Sequence, residues 1–172
     1  IVLFFKDDKF KITFGSFLVL LSLYMILAFI SYFFNWKIDH DFTWAKVISA
    51  SDIIVENHAG KIGAWMSALM LNKWFGLASF SIPVYIGIAG IKMLGIEFKS
   101  LPKLFINLSI ATILLSVILS YIFHSKSLFL GSGPGGAHGF FINQWLRSSL
   151  GILGTGFLLL ILILAYMLYT FS

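Results

Sequence analysis

The stretch ITFGSFLVLLSLYMILAFISYFF, from Ile12 to Phe34, contains no Lys, Arg, Asp or Glu. Crossing about 30 Å of hydrocarbon takes roughly 20 helical residues at 1.5 Å each, and this run is long enough to do so. Three more runs pass the same test without a charged side chain: Trp74 to Ile91, Leu104 to Phe123, and Ser148 to Phe171. A membrane β-barrel would instead alternate apolar and polar residues over roughly 10-residue stretches. No such alternation occurs in LLSLYMILAFI or LLLILILAYML. Lipid leaves every backbone N–H and C=O to be satisfied inside the protein, so the spans are expected to be helices. The fold class read from the sequence is an all-α integral membrane protein with four transmembrane helices.

Composition agrees. Of the 172 residues, 59% are hydrophobic and 11% charged, with a mean hydropathy of +0.97, well outside the balance of soluble domains. The first run is longer than the roughly 7 to 15 apolar residues of a secretory signal, and no small-x-small cleavage site follows it, so it reads as a retained anchor. The chain opens on Ile1 and stops at Ser172 just after a span, which reads as a piece of something longer. The absence of cysteine removes disulfides, thiolate metal sites and cysteine nucleophiles.

Dense clusters of positive charge beside short connections mark the cytoplasmic side of a span. Lys6, Lys9 and Lys11 lie in the short N-terminal segment, and Lys92, Lys99 and Lys103 in the connection 92–103. Across the membrane, Lys37, Lys46, Lys61, Lys73, Lys126 and Arg147 are spread over longer segments and diluted by Asp39, Asp41, Asp52 and Glu56. Both termini are therefore expected in the cytoplasm, with outer loops at 35–73 and 124–147. Residues 1–172 form a single membrane domain on this reading.

Several patterns touch on chemistry. GSGPGG, Gly131 to Gly136, spells the dinucleotide fingerprint, but it lies between spans, holds Pro134 and is followed by no acidic residue, so it reads as a flexible turn. Nor is it a P-loop, since no Lys-Ser or Lys-Thr follows. His40, His58, His124 and His138 all fall in the outer loops and, with Asp39, Asp41 and Glu56, could assemble a metal site, yet no two have helical ligand spacing. Surface or interfacial imidazoles are the preferred reading. No span carries an Asp or His to act as an intramembrane acid or base. Pro83 interrupts the second span and is expected to bend it.

Packing signals are richer. Gly151 and Thr155 stand at small-xxx-small spacing with Gly154 beside them, and Gly87 and Gly90 form a second notch. Such notches let helices approach closely where lipid supplies no hydrophobic drive. Ahead of the second span, residues 63–72 read as a short amphipathic helix with Ile62, Trp65, Met66, Leu69 and Met70 on one face. It would lie at the interface, with Trp65 and Trp74 in the headgroup layer and Lys73 snorkelling outward. Trp36 and Trp44 sit among charges and suit either interfacial anchoring or contact with another protein, and SLFLGSG in the second loop suits the same two roles.

The string Asn57-x-x-Gly60-x-x-Gly63-Ala64-Trp65, then Phe75-Gly76-Leu77-Ala78 and Pro83, resembles the approach to the second span in the N-terminal four-helix domain of the FtsK/SpoIIIE DNA translocases. Gly135-Gly136-Ala137-His138-Gly139-Phe140, with Leu146, Leu150-Gly151 and Gly154-Thr155, is similar to that family's approach to its fourth span. Asn72-Lys73 departs from a stretch that is usually more apolar there. The resemblance covers nearly the whole chain. It implies a bacterial inner-membrane anchor at the division septum, contacting other membrane division proteins as well as the bilayer. It also implies a linker and an ATP-driven, hexameric motor outside this segment, through which the chain would form a homo-oligomer. ATP and magnesium belong to that motor, so no cofactor, metal, catalytic residue or nucleic-acid contact is expected in residues 1–172. Two other readings stand beside it: a small multi-pass transporter or channel subunit, and a loop-based metalloenzyme.

Overall fold

The computed structural model describes residues 7–39, 42–49, 54–97, 100–123 and 129–171. Lys6, His40, Asp41, Asp52, Lys99, His124 and Lys126 lie outside the described residues. Among the described residues all regular structure is helical. Helix α1 (Asp8–Asp39) is followed by short α2 (Trp44–Ser49) and by α3 (Gly60–Ser67), which widens into a π-helical stretch, Ala68–Trp74. A 3₁₀ segment, Gly76–Phe80, leads into α4 (Ser81–Met93), then α5 (Leu101–Phe123) and α6 (Gly136–Phe171).

Four of these are long and apolar enough to cross a membrane: Asp8–Asp39, Gly76–Met93, Leu101–Phe123 and Gly136–Phe171. The chain is a multi-pass membrane protein. Large apolar side chains such as Leu20, Leu23, Phe157 and Leu168 point outward, as a lipid-solvated bundle requires. Small and polar residues line the helix contacts instead: Ser22, Ala28, Ser31, Ala64, Ser67, Ala68, Ser79, Ser116 and Thr155 are all buried.

Two helices are broken internally. Alpha-1 leaves helical geometry at Asn35, one residue past the apolar run. Alpha-6 breaks at Gly151, whose φ of 72° and ψ of 178° lie where only glycine is at ease. What reads in the sequence as loop up to Arg147 is therefore already helix from Gly136, and the span proper follows the break.

The chain repeats itself. Each half is a long helix, a connecting segment, a glycine in the left-handed region (Gly60, φ 68°; Gly136, φ 68°), a short helix, a second left-handed glycine (Gly76, φ 64°; Gly151, φ 72°) and a returning span. Both short helices carry G-x-x-G at their start, Gly60 to Gly63 and Gly136 to Gly139. Successive spans of one chain alternate in direction, so the first spans of the two halves, α1 and α5, run one way and the second spans the other, as in parallel membrane repeats. In the first half α1 packs on α4, and in the second α5 packs on α6.

The connecting segments do not stay at the surface. Asn57 Nδ2 donates to the Ala28 carbonyl at 3.0 Å and Tyr24 Oη to the Ala59 carbonyl at 2.7 Å, so the chain ahead of α3 descends along α1 well below Phe34. In the second half Ser116 Oγ donates to the Gly135 carbonyl at 2.7 Å. Ser116 lies seven positions short of Phe123, roughly 10 Å below that end of α5 at 1.5 Å per residue. Leu130, expected at the surface or on a partner, is fully buried at φ 59° in a cluster with Met25, Phe29, Tyr32, Ala68 and Leu71.

Candidate functional site

Where the two halves meet, backbone passes against backbone. The Leu77 N–H donates to the Pro134 carbonyl at 2.8 Å. A Cβ added to Gly76 would collide with the Pro134 oxygen and the Gly136 nitrogen, and one added to Gly136 with the Gly76 nitrogen and the Trp74 oxygen. Beside this crossing Ser132 Oγ donates to Asn72 Oδ1 at 2.7 Å, and Ser81 and Thr112 share a hydroxyl hydrogen bond between α4 and α5. The GSGPGG segment is thus a packed junction rather than a free turn. Its carbonyls and amides find partners inside the fold, including Gly133 N–H to the Phe129 carbonyl and Gly136 N–H to the Gly133 carbonyl. This pairing is what permits irregular backbone at such depth.

Each residue singled out from the sequence has a definite place. Gly63 faces Asn57 and Ala28, Gly87 faces Ser22, and Gly90 lies on Gly15, Leu18 and Val19 of α1. Gly135 lies on Ser116 and Ser120 of α5, as does Gly139 on Ser116. Gly60 and Gly151 have no atom within 4 Å of where a Cβ would stand, and Gly154 meets only the Leu150 side chain of its own helix. Thr155 is fully buried and its hydroxyl donates to the Gly151 carbonyl at 2.7 Å. Ala64 is fully buried on α3. The buried residues of α3 are small, Gly63, Ala64 and Ser67, with Met66 packed on the core beside them, while Ile62 is half exposed.

The tryptophans separate. Trp36 packs edge-on against Phe129 of the second connecting segment, ring centroids 6.2 Å apart, within the main core cluster. Trp44 of α2 meets Trp65 of α3 at 4.7 Å and is 49% exposed. Trp74 and Lys73 are exposed at the end of the π-helical stretch. Trp44, Ile48, Ile54 and Ile62 are each exposed.

The two described imidazoles do not converge. His58 Nδ1 pairs with Ser31 Oγ at 2.8 Å on α1, and His138 Nδ1 with Ser116 Oγ at 3.3 Å on α5, while the His138 ring also packs edge-on against Phe75 of the first half, centroids 4.8 Å apart. Among the described residues no group of three or more His, Cys, Asp or Glu side chains gathers. Beyond the break at Asn35, burial pushes the Asp39 carboxyl above its ordinary range. The Glu56 backbone amide pulls it the other way, and the Glu56 charge adds to the rise.

The comparison with known families covers this whole architecture: the model of the 4TM region of the DNA translocase FtsK/SpoIIIE matches residues 9–172. The chain belongs to that family. No curated protein and no solved structure matches it. Within FtsK/SpoIIIE translocases this region is the membrane anchor and not the catalytic domain, the motor being elsewhere in the full-length protein. Sequence reasoning singled out the glycines of the FtsK/SpoIIIE pattern but not the serines against which Gly135 and Gly139 lie, nor the amides that bond across helices. Ser116, Ser120, Asn72 and Asn143 stand on long apolar runs or beside them, where nothing local separates a lipid-facing hydroxyl or amide from a buried one.

Proposed function

We propose that this FtsK/SpoIIIE membrane domain anchors a DNA translocase in the bacterial inner membrane at the division septum, with both termini in the cytoplasm, and there contacts other membrane division proteins. The observation that carries the reading is the family match over residues 9–172. The lysine clusters beside the short N-terminal segment and the α4–α5 connection support the orientation. The surface around Trp44, Ile48 and Ile54, next to the Trp44–Trp65 pair, is the proposed contact for a partner, since exposed aromatic anchors dominate such interfaces. The domain itself takes no cofactor and no nucleic acid on this reading, and any hexamer forms through the motor.

Three measurements test it. Reporter fusions at Ile54 and Ser100 should report outside and inside respectively, and the reverse result overturns the orientation. The continuous reading frame should run on into a domain with G-x-x-x-x-G-K-[ST]. A fluorescent fusion of the whole protein should collect at septa, and Trp44→Ala with Ile48→Ser should reduce that enrichment while leaving membrane insertion intact.

A further inference from the structure

The two halves of the chain pack their paired spans differently, and the difference opens a groove. In the first half, eleven and fourteen positions after the break at Gly76, stand Gly87 and Gly90, which close onto Ser22 and Gly15 of α1. Eleven and fourteen positions after the corresponding break at Gly151 stand Leu162 and Ala165. Both line a laterally open apolar cavity of about 530 Å³ in the α5–α6 seam.

Its walls are Ile110 and Ile113 on α5 and Leu162 and Ala165 on α6, with Ile142 and Leu146 of the short helix closing one end. At the other end Tyr166 and Tyr169 line it, and the Tyr166 hydroxyl donates to the Asn107 carbonyl at 3.3 Å. From Leu159 to Tyr169 the groove runs roughly 15 Å along the helix at 1.5 Å per residue, about half the hydrocarbon thickness. Lys103 stands one helical turn beyond Asn107, toward the start of α5. It is exposed and, among the described residues, forms no ion pair.

We infer that this α5–α6 groove is a binding site for one acyl chain of an anionic phospholipid, whose phosphate sits on Lys103. The lining is apolar and carries no charge, the length is that of a single leaflet, and the cation stands one helical turn beyond the Tyr166–Asn107 end, at the depth of a headgroup. Tyrosines at that end occupy the depth at which membrane proteins place amphipathic rings. A helix from a second copy fits poorly. Helix seams in lipid need small residues along the contact, and of the groove's lining residues only Ala165 is small. A helix with its side chains is also about 10 Å across, too wide to enter between α5 and α6.

The test uses the whole chain purified in mild detergent with mixed phosphatidylglycerol and phosphatidylcholine, with bound lipid counted by native mass spectrometry. One phosphatidylglycerol per chain should be retained, with about fivefold preference over phosphatidylcholine, the worth of one lysine near a charged surface. Ala165→Trp should cut retention about tenfold, equivalent to losing roughly two buried methylenes. Lys103→Ala, a surface change that leaves the fold intact, should abolish the headgroup preference while a lipid is still retained. Equal retention of both lipids by the unaltered chain, or an unchanged preference in Lys103→Ala, overturns the proposal. So does unchanged retention in an Ala165→Trp protein of normal helical content. The chain has no native cysteine, so Leu162→Cys gives a direct check in vesicles of the same lipids. An intermolecular disulfide would assign the groove to a second copy and overturn the lipid reading, whereas its absence together with retained phosphatidylglycerol supports it.

Discussion

Gly60 and Gly76 share a left-handed backbone but not a neighbourhood. At Gly60 the space around a Cβ is open, whereas at Gly76 it is filled by the Pro134 carbonyl and the Gly136 amide. Gly60→Ala should therefore cost only the strain of a left-handed alanine, about 1 kcal/mol. Gly76→Ala adds a backbone collision that no rotamer can relieve and should cost about 3 to 5 kcal/mol. Thermal unfolding of the two proteins in the same detergent checks the order, and equal losses would contradict the crossing. Asp39 makes a second test. Its folded-state pKa lies above the ordinary value of 3.8 because burial disfavours the carboxylate. The charged form then detracts from stability once the pH is above both pKa values, and that penalty disappears as pH falls below the ordinary value. Asp39→Asn should raise the unfolding midpoint at pH 7 and leave it nearly unchanged at pH 3 to 4.

Among the elements, the short helix at the start of α6 was the least legible. Its sequence, GAHGFFINQWLRSSL, mixes polar and aromatic residues in a way that suits a surface loop. What makes it a helix with one buried face is its neighbour: Gly139 lies on the Ser116 backbone, and Asn143 Nδ2 donates to the Ser120 carbonyl at 3.0 Å. Gly139→Leu should lever this helix away from α5 and destabilise the second half. Asn143→Ala should cost about 1 kcal/mol, the usual worth of an interhelical hydrogen bond in a membrane protein. Both are readable as shifts in unfolding midpoint, with the Gly139 change the larger. By contrast the four long apolar runs needed no tertiary information, because a helix in lipid satisfies its own backbone. Their ends moved: α1 runs past Phe34 to Asp39, and α6 begins at Gly136 rather than Ser148.

At the scale of the whole molecule, the two helical pairs meet over a broad face: the Gly76–Pro134 crossing, the Ser81–Thr112 bond between α4 and α5, and Leu130 seated in the first half's core. Residues 1–97 and 98–172 expressed as two polypeptides should therefore associate in the membrane and co-purify. Asn72→Leu, which removes the Ser132 partner at the junction, should weaken that association, and independent migration of the unaltered halves would refute the two-part architecture. By itself the sequence determined the number of spans, the helical class and the family, since the hydrocarbon thickness fixes span length and the FtsK/SpoIIIE glycine pattern is local. Tertiary structure alone decided that both connecting segments descend into the bundle, that Leu130 is core, and that one repeat seals its seam while the other leaves a groove. The physical reason is that glycine marks where backbone can come close without naming what comes. In an apolar chain the pairing of small residues and hydroxyls across helices is set by three-dimensional neighbours rather than by periodicity.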